Sequence, residues 1–438
     1  MSKPSSKLLR ASGLMLAVKL IGAASAYALA WWVSRHEGPA AYGRFELALT
    51  VLTMAAMASR LGLDGVLVKW MASSSVKGVQ EIQWPLVLRV VAMTGLVAAP
   101  LLACVIWYAA PSLTLWLGDP LLATTWPWVV AGIPIFTIWG VSSEALRGLS
   151  RMRSYALLQP GIVAAVAVGI MVIMGLGVVP AYAYSLGAST ALGLTLLVLS
   201  LPKMGEAARR QMRVFPAEWG WQSMLSTGWP MLLGSAMFLV MSWTDTLLLG
   251  HFLEEDQVGI YRVAFRMAAV VTLVQAAVNS YAAPLFAERH ASGDDKGLRA
   301  ILRQTTRLNV AFSLPAFVIL VAAPGWWMGW FGEVFVTGSA CLVWLGLGQV
   351  VNALCGPVMY LLNMTGHERS AQRILWFAAL CNLVLNAWAI PRFGITGAAV
   401  STALSMVLWN VAAAVAVKRL LGLSVWDAIR GGENTTTT

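Results

Sequence analysis

Two arginines one helical turn apart, Arg262 and Arg266, are well suited to binding a phosphorylated ligand. They lie within a long apolar segment, where an ionised side chain is costly unless it faces a cavity or a charged partner. Arginine presents a planar fork that contacts two phosphate oxygens at once, and such charge-assisted hydrogen bonds are strong. We therefore predict that Arg262 and Arg266 bind the anionic group of a ligand, with Lys19 of the first apolar segment as a third cation.

Other polar residues in apolar segments are candidates for lining a hydrated cavity or for coupling to an ion. On the second segment, several of them follow one stripe at helical spacing, and a polar stripe in a membrane helix is expected to face a wet interior. A less regular stripe occupies the corresponding segment of the second half of the sequence. The candidates are Glu46, Thr50, Thr53, Asp64, Asp245 and Asn279.

The balance of charge at membrane depth favours an anionic cargo, but it leaves a structural alternative open. Five cations lie at this depth against the three acids Glu46, Asp64 and Asp245, and the cations are Lys19, Arg44, Arg60, Arg262 and Arg266. In the alternative, Asp245 neutralises an arginine and Glu46 neutralises Lys19, and these ion pairs only hold helices together. The side chains of Arg44 and Arg60 are expected to reach the membrane surface from near the helix ends.

The segments that must position these residues are transmembrane helices. The chain of 438 residues is 59% hydrophobic and 11% charged, with a mean hydropathy of +0.73, which is far from the composition of soluble proteins. Apolar windows of about 20 residues, the length that spans a bilayer, recur along the sequence. We predict twelve spans at 11–34, 43–70, 84–108, 121–145, 154–176, 180–200, 223–250, 257–286, 304–322, 335–363, 370–390 and 395–417.

The distribution of Lys and Arg predicts the orientation in the membrane. Alternate loops are basic, as in the stretch 203–213, whereas the loop around 254–256 is acidic. Because cytoplasmic loops carry the excess of Lys and Arg, both termini are predicted to be cytoplasmic in a bacterial inner membrane. The net charge of +11 is thus explained by topology, and no soluble basic domain indicates nucleic-acid binding. The four cysteines have no metal-binding spacing, and we expect no metal and no cofactor.

Tryptophan is abundant at 21 residues, and many of these side chains fall near the outer ends of predicted spans. An aromatic belt at the membrane surface is the ordinary explanation, and stacking on sugars is the alternative. These residues are Trp31, Trp32, Trp107, Trp116, Trp126, Trp128, Trp326, Trp327 and Trp330.

An internal repeat divides the chain into two halves. PAAYGRFELAL from Pro39 resembles QVGIYRVAFRM from Gln257 when Gly43 is aligned with Gly259, an offset of 216 residues. LRGLSRMR from Leu146 resembles LNMTGHER from Leu362 at the same offset. Six spans in each half give both halves the same orientation. We predict a six-helix lobe at 1–201, a cytoplasmic linker at 202–222, a second six-helix lobe at 223–420 and a cytoplasmic tail at 421–438.

These repeated segments, together with DTLLLGHFLEEDQVGIYRVAFRMA and LNAWAIPRFGITGAAVSTALS, resemble the polysaccharide transporter branch of the MOP superfamily, which is MATE-like and contains the Wzx-type flippases. The resemblance implies two pseudo-symmetric lobes around a central cavity that opens alternately to either side. The implied cargo is an undecaprenyl-pyrophosphate-linked oligosaccharide for O-antigen, lipopolysaccharide or exopolysaccharide synthesis. With this cargo, the resemblance implies that the pyrophosphate headgroup is bound by Arg262, Arg266 and Lys19. The implied partners are this lipid-linked substrate, membrane lipids, and the polymerase and glycosyltransferases of the same pathway. Lipid II flippases usually have fourteen spans, so the count of twelve argues against that branch.

Two other classes of function stay open at this point. A cation-coupled MATE-type drug exporter is expected to depend on buried carboxylates. A polyprenyl-linked membrane glycosyltransferase or ligase is expected to carry a large extramembrane loop with paired carboxylates or a histidine, and the predicted outer loops are short. No Walker-type GxxxxGK[ST] segment is present. We therefore predict a transporter, not an enzyme, and the sequence does not distinguish substrate-gradient transport from coupling to Na⁺ or H⁺.

Overall fold

The computed structural model describes residues 6–76, 83–201 and 220–425, and every element of secondary structure in these ranges is helical. This confirms the all-helical prediction. The principal helices are α1 (Ser6–His36), α2 (Gly38–Arg60), α3 (Leu63–Val76), α4 (Gln83–Val91), α5 (Ala99–Leu117), α6 (Trp126–Gly148), α7 (Met152–Leu157), α8 (Pro160–Met174), α9 (Val178–Ser200), α10 (Trp221–Phe252), α11 (Glu255–Ala269), α12 (Leu273–Ala291), α13 (Asp295–Ala322), α14 (Pro324–Gly329), α15 (Ser339–Cys355), α16 (Val358–Met364) and α17 (Glu368–Leu421).

The chain forms two compact units, Met1–Ala236 and Met237–Thr438, called here the N-terminal and C-terminal units. The division between them falls within α10, whereas the sequence places a linker at 202–222, of which 202–219 lies outside the described residues. The predicted lobe boundaries therefore stay a prediction.

By length and apolar composition, seven helices among the described residues are able to cross a membrane, or eight if the bent pair α2 and α3 is one span. Each of the twelve predicted spans coincides with a helix, with consecutive helices, or with part of α17. The chain is thus a multi-pass membrane protein, because such helices satisfy their own backbone hydrogen bonds in a lipid environment.

The second predicted span is broken in the structure. Helix α2 begins with a proline in its first turn, where the missing N–H costs nothing, and it ends at Leu61, which has a φ of 54°. Gly62 follows with a φ of 72°, a conformation that glycine adopts without strain. The axis bends by 53° into α3. The sequence-based prediction of one continuous helix over 43–70 is therefore wrong at this point.

Helix α17 is long because two predicted spans join without a loop. Its 54 residues include Gly394, whose φ of 57° and ψ of −141° are not helical. Pro391 lies just before this corner, and its ring disrupts the hydrogen bonding of a helix interior. The corner falls between the predicted spans 370–390 and 395–417, which confirms their boundary.

The C-terminal unit has an apolar core formed by α12, α13, α16 and α17. Phe286, Leu302, Leu361 and Val417 are almost fully buried in it. This packing joins α12 to α13 and α16 to α17, and the polar site described next lies elsewhere in the same unit.

Candidate functional site

Asp245 is a buried carboxylate near the end of α10, with a side chain only 1% exposed. Its Oδ2 accepts hydrogen bonds from the Thr402 hydroxyl at 2.6 Å and from the Tyr261 hydroxyl at 3.0 Å. Its Oδ1 accepts one from Asn386 Nδ2 at 2.7 Å. The carboxylate thus ties α10 to α11 and to both parts of α17, and its donors are all neutral groups.

The neutral surroundings of Asp245 bear on the structural alternative raised by the sequence. In that alternative Asp245 is neutralised by an arginine, but the described contacts of this carboxylate come from a tyrosine, a threonine and an asparagine. A buried negative charge is costly without a cation or several hydrogen bonds. Hydrogen bonds alone stabilise Asp245, so its charge stays available to a proton or a metal cation.

Two asparagines one helical turn apart complete this polar cluster. Asn382 and Asn386 on α17 are fully buried, and the Asn382 amide lies beside Asp245. Within the described part of the chain, Asn386 Oδ1 and both polar atoms of the Asn382 amide lack a hydrogen-bond partner. Because such buried groups are almost always satisfied in proteins, unpartnered amide atoms beside a carboxylate are typical of a ligand site.

The chemistry of this cluster fits a monovalent cation or a proton. Carboxylate, amide and hydroxyl oxygens are hard ligands that favour cations such as Na⁺ over soft transition metals. Only one carboxylate is present, and the described residues contain no cluster of three His, Cys, Asp or Glu side chains suited to a metal ion. A single negative charge balances one positive charge, so the Asp245 cluster is a candidate site for Na⁺ or H⁺.

A second buried carboxylate, Glu46, lies on α2 of the N-terminal unit and is 1% exposed. It accepts a hydrogen bond of 2.6 Å from the Tyr42 hydroxyl one turn earlier. The Thr50 and Thr53 hydroxyls of the stripe predicted along this helix donate to the backbone carbonyls of Glu46 and Leu49. That the stripe lines a cavity stays a prediction. These threonines are satisfied by their own helix, as such residues often are.

Asp64 lies at the start of α3, beyond the bend after α2. Its carboxylate pairs with Arg60 Nη1 at 3.2 Å and accepts from the Gly65 N–H at 2.9 Å. Both side chains are about one-fifth to one-quarter exposed. Asp64 thus has a cation partner next to a helix break. The described partners of Asp245 are all neutral, so Asp245 is the better candidate for coupling to an ion.

Asn279 belongs to a polar seam between α12 and α13 in the C-terminal unit. Asn309 Nδ2 donates to Asn279 Oδ1 at 3.1 Å, and nearby the Thr272 hydroxyl donates to Gln349 Oε1 at 3.2 Å. Asn309 Oδ1 and Gln275 Oε1 have no partner within the described ranges. Thr272 and Asn279 of the predicted polar stripe thus bond to side chains of α15 and α13, which the sequence prediction did not connect to the stripe.

Arg262 and Arg266 both lie on α11 with half-buried side chains. The Arg262 guanidinium carbon lies 5.4 Å from the centre of the Phe265 ring, a distance typical of a cation–π contact. Tyr261, the donor to Asp245, directly precedes Arg262, so the same helix carries the predicted headgroup cations and one side of the Asp245 cluster. Lys19 is on α1, and its side chain lies outside the described residues.

Sequence reasoning missed Tyr261, Asn382, Asn386 and Thr402 as site residues. The search was for ionisable groups, and neutral polar residues in an apolar helix attract less notice. Asn382 and Asn386 carried a usable signal, since two amides at positions i and i+4 within one predicted span place polar atoms on one face of a helix.

The architecture of helices described above defines a MATE-like transporter fold. A multidrug resistance MATE family transporter of the MOP superfamily, solved in an inward-facing conformation, aligns with 97% of this chain and 100% of its own at a TM-score of 0.75 and 13% identity. The lipid II flippase MurJ in an inward closed conformation aligns with 96% of this chain and 89% of its own, at a TM-score of 0.73 and 13% identity. These likenesses concern the fold alone.

The family is defined by sequence. Residues 8–290, well over half of the chain, match the family described as polysaccharide biosynthesis protein, and the chain belongs to this family. Residues 230–388 also match the MatE family. The resemblance to the polysaccharide transporter branch of the MOP superfamily is thereby confirmed.

Two curated relatives come from Haloferax volcanii. A probable low-salt glycan biosynthesis flippase, Agl15, is 30% identical over 174 residues, which are 39% of this chain and 36% of that protein. A probable flippase, AglR, is 31% identical over 181 residues, which are 41% of this chain and 38% of that protein. The chain thus matches less than two-fifths of the length of these relatives.

Proposed function

We propose that this protein is a flippase that moves undecaprenyl-pyrophosphate-linked oligosaccharide from the cytoplasmic to the periplasmic leaflet of a bacterial inner membrane by alternating access. The family match over residues 8–290 carries the proposal, and two relatives named as flippases support it. Both termini are cytoplasmic in this proposal, and the cargo is an O-antigen or exopolysaccharide repeat unit. The protein transports its substrate without transforming it, between the glycosyltransferases and the polymerase of the same pathway.

In this proposal the pyrophosphate is bound by Arg262 and Arg266, with Lys19 as a further cation. The support is their spacing of one turn on α11 and their half-buried side chains, since partial burial strengthens charge–charge interactions relative to bulk water. Each arginine contributes donors suited to phosphate oxygens.

We further propose that Na⁺ or H⁺ drives the cycle through Asp245. The carboxylate is buried among neutral donors, so binding a cation changes the charge of a site that joins α10, α11 and α17. A ligand shifts a conformational equilibrium only through different affinities for the two states. Separation of these helices in one state would supply that difference.

A cation-coupled multidrug exporter is the second candidate, and the match of residues 230–388 to the MatE family favours it. The two candidates predict different cargo. A flippase requires cations for a phosphorylated headgroup, whereas an exporter of cationic drugs requires an unpaired acid in the drug path.

Deleting the protein from its native host distinguishes these candidates. A flippase predicts that undecaprenyl-pyrophosphate-linked oligosaccharide accumulates on the cytoplasmic face and that surface polysaccharide is lost. Expression of the wild-type chain restores the surface glycan, while a variant with both Arg262→Ala and Arg266→Ala does not. Normal surface glycan with increased sensitivity to cationic dyes contradicts the flippase proposal and supports the exporter.

A further inference from the structure

A polar cavity of about 310 Å³ lies at one end of the N-terminal unit, at the small end of the range for small-molecule sites. It is bounded by the segment before α2, the segment before α6 and the segment before α9. Each of these segments lies between two predicted spans or at the start of one, so the cavity is expected near the level where helices leave the membrane. Its polar lining includes Glu37, Arg44, Thr124, Thr125 and the backbone at Gly177.

Two side chains of opposite charge, Glu37 and Arg44, line the cavity. Glu37 Oε1 accepts a hydrogen bond from the Val178 N–H at 3.0 Å, and a Cβ built at Gly177 would lie 3.7 Å from Oε2. The first oxygen is thus held by the start of α9, and the second lies against a wall of the cavity. Burial raises the pKa of Glu37, against the lowering effects of the Val178 N–H and the Arg44 charge. A cation beside Oε2 would offset this loss of hydration.

Arg44 is oriented by a different acid. Its Nε lies 4.0 Å from Oδ2 of Asp119, a carboxylate that is 2% exposed. Asp119 Oδ1 caps the short helix that precedes α6 by accepting from the Leu121 N–H at 2.8 Å. Because Asp119 is anchored in this way, the guanidinium of Arg44 is held at the cavity while part of it stays exposed for a ligand.

An apolar crevice continues from the cavity and shares Trp128 and Val179 with it. The crevice runs between α2, α6 and α9, and Phe45, Leu52 and Leu186 line it. From Arg44 to Leu52 the chain of α2 rises by eight residues, or about 12 Å at the usual rise of a helix. The crevice therefore leads from the helix ends toward membrane depth, as an acyl chain does below its headgroup.

We propose that this cavity and crevice form a binding site for a zwitterionic phospholipid with a primary amine in its headgroup. The phosphate contacts Arg44 and the ammonium contacts Glu37. The upper part of one acyl chain lies along the crevice beyond Trp128, which is shallow, at about 30 Å³, and admits little more than one methylene group of the chain. A polyprenyl pyrophosphate fits less well, because it has no cation to place at Glu37 and its charge is repelled there. The proposal concerns a regulatory or structural lipid and is independent of the proposed cargo.

The test uses the detergent-purified full chain and three probes: phosphatidylethanolamine, phosphatidylglycerol and soluble glycerophosphoethanolamine. Lipid binding is measured by native mass spectrometry and by the lipid-induced rise in melting temperature. Arg44→Ala is expected to weaken binding of both phospholipids about ten- to a hundred-fold, as expected for lost charge-assisted hydrogen bonds. Glu37→Gln is expected to weaken phosphatidylethanolamine to a similar extent while leaving phosphatidylglycerol unchanged or tighter.

Substitutions in the crevice test the acyl chain separately. Ala183 lines the crevice on α9, and Ala183→Phe is expected to weaken both lipids at least ten-fold. Ala191→Phe is the matched control, since Ala191 is exposed two turns further along the same helix. Arg392→Ala controls for the loss of one exposed arginine in the C-terminal unit. A variant is taken as folded when its melting temperature, measured without added lipid, is close to that of the wild type.

Three results overturn the proposal. One is an unchanged affinity of the Glu37→Gln variant for phosphatidylethanolamine, which shows that the ammonium does not bind Glu37. Another is equal stabilisation by soluble glycerophosphoethanolamine, which shows that the site takes a free headgroup and no lipid. The third is an equal loss of lipid affinity in Ala183→Phe and in Ala191→Phe, which shows that the crevice does not bind the acyl chain. If Arg44→Ala does not fold, the Glu37→Gln and Ala183→Phe results decide alone.

Discussion

The hydroxyl of Tyr261 donates a hydrogen bond of 3.0 Å to Asp245 Oδ2 and thereby joins α11 to α10. Tyr261 is followed by Arg262, so a shift of α11 that breaks this bond also moves the predicted headgroup cations. This relationship links the Asp245 cluster to the predicted headgroup arginines through one short helix of 15 residues. In the proposed mechanism, this bond is the route by which ion binding changes substrate affinity.

Removing the charge of Asp245 is expected to abolish the dependence of transport on Na⁺ or pH. Asp245→Asn keeps the shape of the side chain, so protein abundance is expected to stay near that of the wild type. Tyr261→Phe removes one hydrogen bond to a charged group, worth about 1.5–3 kcal/mol, and is expected to change the half-maximal ion concentration about ten-fold or more. The measurement is the transport rate against ion concentration. Glu333→Gln, at an exposed acid, is the control. Ion dependence that survives Asp245→Asn contradicts the assignment.

Arg262→Ala and Arg266→Ala are each expected to reduce transport about ten- to a hundred-fold while protein abundance stays normal. The reason is that each substitution removes charge-assisted hydrogen bonds worth about 1.5–3 kcal/mol. Arg→Lys at either position is expected to restore only part of the rate, because the charge remains while the bidentate fork is lost. The measurement is transport normalised to the amount of protein in the membrane.

The scaffold alternative predicts a different pattern for the same arginines. Loss of a structural ion pair strands an acid in the membrane, so abundance falls and a second substitution at that acid restores it. Asp245 is held by neutral donors, and Asp245→Asn is therefore not expected to restore abundance in either variant. Recovery of both abundance and transport in that double variant would rule out the headgroup assignment.

The hydrogen bond between Asn309 and Asn279 is expected to stabilise the packing of α13 on α12. Asn309→Ala leaves Asn279 Oδ1 buried without its donor, at a cost of about 1–3 kcal/mol. Adding Asn279→Ala is expected to cost less than the sum of the two single changes, because neighbouring partners are coupled. Thermal unfolding of the four proteins of this cycle in one detergent measures the effect, and strict additivity would show that the two amides do not interact.

Asp294, between α12 and α13, gives a prediction with a defined dependence on pH. Its carboxylate accepts from the Gly297 N–H at 2.8 Å and from Arg289 Nη1 at 2.7 Å, and these contacts, the backbone one foremost, lower the pKa of Asp294. A carboxylate whose folded pKa is depressed stabilises the fold above its unfolded pKa of about 3.9. That stabilisation is lost as the pH falls through the lower, folded pKa.

Asp294→Ala is accordingly expected to lower the melting temperature at pH 7, and the difference from the wild type is expected to shrink below about pH 4. Asp295→Ala, at the neighbouring acid, is the control. A difference in melting temperature that is the same at pH 7 and at pH 3 would show that the charge of Asp294 contributes nothing.

The sequence predicted the helices well because a membrane constrains them strongly. Apolar windows located each span, and the corner at Gly394 was anticipated between two of them. The break after Leu61 was missed, since a leucine in the left-handed region leaves no pattern in the sequence. The site was predicted in part: Asp245 was identified as a charge at membrane depth, but its donor Thr402 lies 157 residues away in sequence. Such partners depend on tertiary packing, which hydropathy and spacing do not encode.

The hydroxyl contacts of Thr50 and Thr53 show a second limit. Helical spacing placed these residues on a polar stripe, yet their hydrogen bonds go to their own helix. Spacing identifies a shared face but does not tell whether a hydroxyl is already satisfied.

The most direct test of the flippase account is transport by the purified chain in sealed vesicles. Undecaprenyl-pyrophosphate-linked oligosaccharide is placed in one leaflet, and its arrival in the other is followed by a lectin or glycosidase that acts only from outside. The account predicts transfer well above protein-free vesicles, loss of that transfer in the Arg262→Ala and Arg266→Ala double variant, and dependence on a Na⁺ or H⁺ gradient that Asp245→Asn removes. Transfer no faster than in protein-free vesicles, by a folded chain that exports a cationic dye from the same vesicles, would contradict it.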